Sequence, residues 1–142
     1  MRVLVDTNLL IAYLLKPRED SFVNILLDEV VEGRVTLLVP EALLTEIEQT
    51  VKRKPYLLNM ISETQLHQFL VLLHSLCEEI PLITEAIPPI TRDPKDDYLI
   101  AYAVIGQADY LISGDKDLLI LETVGAVSVV DSGQFRQILR NG

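Results

Sequence analysis

The sequence predicts an α/β fold in three α/β/α layers, with helices on both faces of a mostly parallel sheet of about four to five strands. Three observations support this prediction. Short apolar runs rich in β-branched residues alternate with segments of helical periodicity along the chain. The length of 142 residues suits one domain, so residues 1–142 are expected to form a single unit. The hydrophobic share of 49% is enough for one core at this length.

Four short apolar runs are the predicted strands. They are Val3–Val5, Val35–Val39, Tyr110–Ile112 and Val127–Val130. Strands that alternate with helices in this way are typical of a parallel sheet.

Two helices are predicted in the first part of the chain, in addition to a helix that would follow the first strand. Ser21–Val31 repeats apolar residues along one face, and Gly33 is a natural stop after it. Pro40 opens a second helix that runs to about Arg53. Pro55 is expected to break that helix, because proline lacks the amide hydrogen that a helix interior needs.

Three further helices are predicted in the second half. Glu63–Glu79 carries an apolar stripe at three- and four-residue spacing. Asp93 followed by Pro94 is typical of an N-cap and a first helical position. The helix that follows, through Ala108, is apolar nearly all round and is expected to be buried. Ser132–Arg140 is the predicted closing helix.

The composition excludes several classes of function. A formal net charge of −9 disfavours nonspecific binding to nucleic acid, but it is compatible with a nuclease whose acidic site is neutralised by cations. Cys77 is the single cysteine and cannot form an intramolecular disulfide, which suits a reducing compartment. Asp6 and Asn8 interrupt the apolar N-terminus, and no apolar run is long enough to cross a bilayer. We therefore expect a cytoplasmic protein with no membrane partner.

Four acidic residues stand out against this pattern. Asp6 ends the first strand, and Asp115 follows the strand Tyr110–Ile112. Ligands of open parallel sheets bind outside the carboxyl ends of the strands. Glu46 and Asp97 share the apolar stripes of their helices. Each has an ordinary explanation by itself, as a helix cap or a residue at the rim of the core, but together they predict a site.

The chemistry of this acidic group favours a hard cation. Carboxylates brought close together repel each other unless a cation lies between them, and no Arg or Lys is expected to point inward on these elements. Oxygen ligands are those that Mg²⁺ and Mn²⁺ prefer, whereas the pattern of Cys and His that zinc requires is absent. Such a site suits cleavage of a phosphodiester by metal-activated water.

Four motifs in order resemble those of the PIN-domain ribonucleases. They are VDTN at residues 5–8, PEALLTEI at 40–47, DPKDDYLIAYA at 93–103 and LISGDKDLL at 111–119. The resemblance implies a PIN-like fold, similar to that of 5′-nucleases, and a Mg²⁺- or Mn²⁺-dependent endoribonuclease that cuts single-stranded RNA. Its small, single-domain branch implies the toxin of a bacterial toxin–antitoxin pair, with a small antitoxin protein as partner and a homodimeric state.

The resemblance also assigns residues. Its metal-binding catalytic acids match Asp6, Glu46, Asp97 and Asp115, and polar residues that hold them in place match Asn8 and Ser113. Asp97 is selected because the family's acid comes three residues before an apolar residue and an alanine; Asp96 is the alternative. Asp117 matches an additional acid of many members, or it caps a short segment, Leu118–Leu121.

Basic and aromatic residues near these acids are candidates for RNA contacts. The basic candidates are Lys52, Arg53, Lys54, Arg92 and Lys116, with Lys95 nearby. The first three also suit a helix C-terminus, where positive charge is favourable. Tyr98 and Tyr102 are able to stack on bases, but their spacing of four in an apolar helix is more typical of core residues.

Two other functions are compatible with parts of the pattern. One is a phosphatase or signalling domain in which Asp6 is phosphorylated, although such enzymes usually carry a second aspartate where this chain has Asn8. The other is a PIN-fold binding module that has lost catalysis. Labelling by an acyl phosphate donor and calorimetric titration with Mn²⁺ distinguish these alternatives from a nuclease.

Overall fold

The computed structural model describes residues 1–142 and contains six strands and eight helices. The strands are β1 (Arg2–Val5), β2 (Thr36–Pro40), β3 (Glu78–Ile80), β4 (Tyr110–Ile112), β5 (Thr123–Val124) and β6 (Val127–Val130). The helices are α1 (Thr7–Leu15), α2 (Phe22–Val31), α3 (Glu41–Arg53), α4 (Pro55–Met60), α5 (Glu63–Leu76), α6 (Pro94–Ile105), α7 (Lys116–Leu119) and α8 (Ser132–Asn141).

One sheet organises the molecule, with strand order β3-β2-β1-β4-β6-β5. All neighbouring strands are parallel except β5, which is antiparallel to β6. The predicted α/β fold with a mostly parallel sheet is confirmed, with six strands where about four to five were expected. Because β1, β2 and β4 are adjacent, the residues that follow them meet at one edge of the sheet.

The core covers both faces of the sheet. Val3, Leu4 and Val5 are all buried, although successive side chains of a strand point to opposite faces. Helices therefore pack on both sides of β1, which explains why its sequence is continuously apolar. In total, 34 buried apolar residues form one cluster. None of the helices has the length and hydropathy needed to cross a bilayer.

Side-chain caps fix where most helices begin. The capping residues are Asp6, Ser21, Ser62, Asp93, Asp115 and Asp131, each accepting a hydrogen bond from the first turn of its helix. The predicted cap at Asp93, with Pro94 in the first helical position, is present. Pro55 likewise begins a helix, α4, which the sequence did not predict.

Several element boundaries differ from prediction. Helix α5 ends at Leu76 instead of Glu79, because Glu78–Ile80 pairs with β2 as an edge strand. Neither β3 nor β5 was predicted, since strands of three and two residues show no periodicity. The proposed capping of Leu118–Leu121 by Asp117 is wrong, because α7 begins at Lys116 and is capped by Asp115.

Helix α6 is only partly buried, contrary to the sequence prediction. Tyr98, Val104 and Ile105 are exposed, whereas Tyr102 belongs to the core. The end of the helix lies close to the sheet at Gly106, where an added Cβ would be 2.6 Å from Ile80 Cδ1. Helix α6 therefore packs tightly against the sheet at Gly106 and leaves side chains exposed near both of its ends.

Candidate active site

A polar cavity of about 250 Å³ lies where the residues after β1, β2 and β4 meet. We call it the acidic cavity, because five carboxylates line it: Asp6, Glu46, Asp93, Asp96 and Asp115. Only one of its twelve lining residues is apolar. The structure thus brings Asp6, Glu46 and Asp115 together, as the sequence predicted, and adds two acids from the DPKDD segment.

Asp6 and Asp115 are held by the same serine. Ser113 Oγ donates a hydrogen bond of 2.7 Å to Asp6 Oδ2 and accepts one of 3.0 Å from the Asp115 amide. Each aspartate also caps a helix: Asp6 accepts from the Asn8 amide and Asp115 from the Asp117 amide. Asp6 and Asp115 are therefore helix caps that also line the acidic cavity. Asn8, predicted to hold these carboxylates in place, contacts Asp6 through its backbone amide at 3.3 Å.

Glu46 reaches the cavity from the second turn of α3. Its Oε2 accepts a hydrogen bond of 3.2 Å from the hydroxyl of Thr7, which is buried at the start of α1. Thr7 was not among the predicted site residues, and its expected contribution was to backbone geometry more than to chemistry. Its position within the VDTN motif was the available signal, because a hydroxyl next to Asp6 is well placed to contact a second acid of the same site.

The selection of Asp97 as a cavity acid is wrong. Asp97 Oδ1 accepts hydrogen bonds from the Ile90 amide at 3.0 Å, the Thr91 amide at 2.7 Å and Thr91 Oγ1 at 3.0 Å. These bonds hold the segment that precedes α6 and lower the pKa of Asp97, with the Thr91 amide making the largest contribution. Asp96, one residue earlier and therefore about 100° away around the helix, lines the cavity instead.

Asp96 has the most perturbed carboxyl group of the cavity. Burial raises its pKa from 3.8 to about 7, and repulsion from Asp115, Asp93 and Asp6 adds to the increase. Burial and the neighbouring carboxylates therefore both oppose ionisation of Asp96.

Basic residues also line the acidic cavity, contrary to the expectation that none would point inward. They are Arg53, Lys54 and Lys95. None of them belongs to the six ion pairs of the structure, whose basic members are Arg2, Arg18, Arg34, Lys52, His74 and Arg92. These three cations are thus available to an anionic ligand.

The other predicted RNA contacts lie outside this cavity. Lys52 pairs with Glu48 at 2.8 Å on the outer side of α3, and Lys116 is exposed on α7. Arg92 pairs with Asp117 at 2.8 Å, and neither residue lines the acidic cavity.

The donor set suits a hard divalent cation. All five acids of the cavity offer oxygen, and a cation beside Asp96 would offset both the burial and the carboxylate repulsion that raise its pKa. No group of three or more His, Cys, Asp or Glu side chains is arranged to hold an ion directly. Binding through one or two carboxylates, with water as the remaining ligands, is the usual mode for Mg²⁺ and agrees with this arrangement.

The comparisons with known proteins agree with this architecture. The family model described as "PIN domain" matches residues 2–117. A solved structure from Rickettsia felis, VapBC2 bound to a DNA fragment from their promoter, superposes with a TM-score of 0.61 at 15% sequence identity. The match covers 92% of this chain and 98% of the other, so the two share a fold. Among curated proteins, no sequence matches the chain significantly. Since the family model spans most of the chain, including all five cavity acids, this protein belongs to the PIN-domain family.

Proposed function

We propose that this protein is a Mg²⁺- or Mn²⁺-dependent endoribonuclease that cleaves single-stranded RNA. In this proposal one or two carboxylates among Asp6, Glu46, Asp96 and Asp115 would hold the cation directly, and the others would hold it through water. The observation that carries the proposal is the acidic cavity itself, in which five carboxylates from four separate segments face one another. Helix capping explains single acids at helix starts. It does not explain why Asp96 is buried near three other aspartates, Asp6, Asp93 and Asp115.

The chain's own residues have distinct tasks in this proposal. Ser113 and Thr7 fix the orientation of Asp6 and Glu46, so the carboxylates are positioned before substrate arrives. Arg53 and Lys95 offer positive charge to the phosphates beside the scissile bond. When bound, the divalent cation supplies a water acidic enough to attack the phosphodiester and neutralises charge on the phosphate.

The biological setting is part of the same proposal. The four motifs resemble those of PIN-domain ribonucleases, and the fold matches that of the VapBC2 structure from Rickettsia felis. Both support a toxin of a toxin–antitoxin pair that acts on RNA in the cytoplasm, binds a small antitoxin protein and forms a homodimer.

Replacement of Asp6 by asparagine tests the catalytic assignment. Asparagine is also a good N-cap, so Asp6→Asn is expected to keep α1 and the fold while abolishing Mn²⁺-dependent cleavage of a labelled single-stranded RNA. The control is Asp28→Asn, which removes the same charge from an exposed position on α2. Full Mn²⁺-dependent activity in Asp6→Asn overturns the proposal. Failure of the wild type to take up Mn²⁺ in calorimetry favours the binding-only alternative.

A further inference from the structure

A second cavity adjoins the acidic cavity between α3 and α6. Its volume is about 210 Å³, and it shares five lining residues with the acidic cavity: Glu46, Thr50, Arg53, Lys95 and Leu99. The two cavities are therefore parts of one continuous cleft. We call the second one the side cavity.

The side cavity differs from the acidic cavity in chemistry. Six of its eleven lining residues are apolar or aromatic, including Leu43, Tyr98 and Tyr102. Its volume is below the roughly 300–1,000 Å³ of pockets for drug-sized ligands, so it suits one ring system. A site for a cation and phosphates thus lies beside a site for a flat, largely apolar group.

Tyr98 is the free aromatic wall of the side cavity. Its side chain is 50% exposed, although most large apolar residues of α6 near it are buried. Tyr102, one turn further along the same face of α6, is only 3% exposed, and its hydroxyl accepts a hydrogen bond from the Ile83 amide. Tyr102 is therefore fixed as part of the core, whereas Tyr98 presents its ring to the cavity.

Cations flank this aromatic side chain. Lys95 lies one turn before Tyr98 on α6. Arg53 lies on the same face of α3 as Glu46 and Thr50, seven residues after the first and three after the second. Neither Lys95 nor Arg53 has an acidic partner among the ion pairs of the structure. The cleft thus offers, in order, carboxylates, cations and an aromatic ring.

We propose that the side cavity binds the base of a nucleotide next to the scissile phosphate, stacked on Tyr98, while Arg53 and Lys95 hold the adjoining phosphates. The inference rests on the proposed ribonuclease function and adds a subsite to it. Stacking on a tyrosine tolerates every base, because each base has an aromatic face. The subsite therefore positions single-stranded substrate and excludes a paired base, which is not free to stack.

Binding of RNA without turnover tests this subsite. The measurement is fluorescence anisotropy of a labelled single-stranded RNA with Mn²⁺, in the Asp6→Asn background. Tyr98→Ala is expected to weaken binding on the order of tenfold, and Tyr98→Phe to retain it, because phenylalanine also stacks. The matched control is Tyr56→Ala, since Tyr56 is 60% exposed on α4 and lines neither cavity.

An abasic oligonucleotide of the same length and charge separates stacking from other effects. The Asp6→Asn protein is expected to bind this abasic oligonucleotide about as weakly as the Tyr98→Ala variant binds RNA. Adding Tyr98→Ala should cause no further loss of affinity for the abasic oligonucleotide. Circular dichroism and melting temperature check that Tyr98→Ala is folded. The inference is overturned if Tyr98→Ala binds RNA as tightly as Tyr56→Ala does. It is also overturned if Tyr98→Ala weakens binding of the RNA and of the abasic oligonucleotide equally, or if the Asp6→Asn protein binds no RNA.

The two proposals fail in different ways. If the wild type does not cleave RNA with Mn²⁺ but binding depends on Tyr98 and on the bases, the ribonuclease assignment fails and the subsite remains. If the wild type cleaves RNA and Tyr98→Ala binds it normally, the subsite fails and the ribonuclease assignment remains.

Discussion

Ser113 Oγ donates a 2.7 Å hydrogen bond to Asp6 Oδ2 across a sequence separation of 107 residues. The bond joins the residues that follow two adjacent strands, β1 and β4. The same oxygen accepts from the Asp115 amide, and Ser113 is fully buried. One hydroxyl therefore sets the geometry of two carboxylates of the acidic cavity.

Replacing Ser113 by alanine should reduce both stability and activity. The Asp115 amide and the Asp6 carboxylate lose a partner in a buried place, and we expect a loss of about 1–3 kcal/mol in the free energy of unfolding. Urea denaturation and Mn²⁺-dependent RNA cleavage are the measurements. Ser75→Ala is the control, because Ser75 is exposed and bonds only to its own helix. Equal stabilities of the two variants would show that the Ser113 bonds contribute nothing.

Asp96 should make the metal-free protein less stable as the pH rises. Its pKa is about 7 in the folded protein against 3.8 as the ordinary value, so between those values the folded state holds a proton that the unfolded chain has released. Raising the pH through this window therefore lowers the free energy of unfolding. Asp96→Asn lacks this effect and should exceed the wild type in stability by about 1–2 kcal/mol at pH 8, in EDTA.

The measurement is urea unfolding of both proteins at pH 5 and pH 8. The difference in the free energy of unfolding should be smaller at pH 5, which lies early in this window, than at pH 8, which lies above it. Added Mn²⁺ should stabilise the wild type more than Asp96→Asn at pH 8, because ligand binding to the folded state adds to its stability. If the free energies of unfolding of the wild type and Asp96→Asn depend on pH in the same way in EDTA, the raised pKa assigned to Asp96 is contradicted.

Asp97 should behave in the opposite way, although it is the next residue. Its lowered pKa means that its carboxylate stabilises the fold above pH 3.8 and that this contribution is lost as the pH falls through the folded pKa. Asp97→Ala is expected to be less stable than the wild type in urea denaturation at pH 7, since three donors of the preceding segment lose a charged acceptor. The loss should shrink in acid.

Activity distinguishes the two neighbouring acids. Asp97→Asn, below its melting temperature, should retain Mn²⁺-dependent cleavage, whereas Asp96→Asn should lose it. Cleavage by Asp96→Asn at the wild-type rate, with none by folded Asp97→Asn, would restore the assignment made from the sequence.

Arg53 and Lys52 form a second pair of neighbours with different expected roles. Arg53 lines both cavities without an acidic partner, whereas Lys52 is paired with Glu48 on the outer side of α3. In the Asp6→Asn background, Arg53→Ala should weaken RNA binding several-fold and reduce the dependence of log K on log salt by about 1. Lys52→Ala should change neither quantity. RNA titrations at several NaCl concentrations measure the affinity and its salt dependence. Identical salt dependences for the two variants would show that Arg53 does not contact the RNA phosphates.

The parts of the fold that sequence predicted are those with a strong local signal. The central strands are continuous apolar runs, and Asp93–Pro94 marks the start of α6 by its chemistry alone. Strands β3 and β5 are too short to show periodicity, and they exist because a neighbouring strand offers free backbone groups. Only tertiary pairing specifies them.

The error over Asp97 has a similar origin. The apolar stripe of α6 identifies the side that faces the protein, and Asp97 does face it, but what it meets there is the Ile90–Thr91 backbone. No local pattern predicts the path of that segment. Asp96 faces the acidic cavity because of how α6 is rotated against β4, a relationship that depends on packing between distant parts of the chain.

The two outer strands of the sheet limit how copies of this protein associate. One edge strand is β3, which is three residues long and has Glu78 and Glu79 exposed. The other is β5, which is two residues long and antiparallel to its neighbour β6. Short edge strands, one of them carrying two glutamates, are poor templates for an incoming strand. Any association between copies of this chain is therefore expected to use helices, and infrared spectra of concentrated solutions should show no gain of intermolecular β-structure.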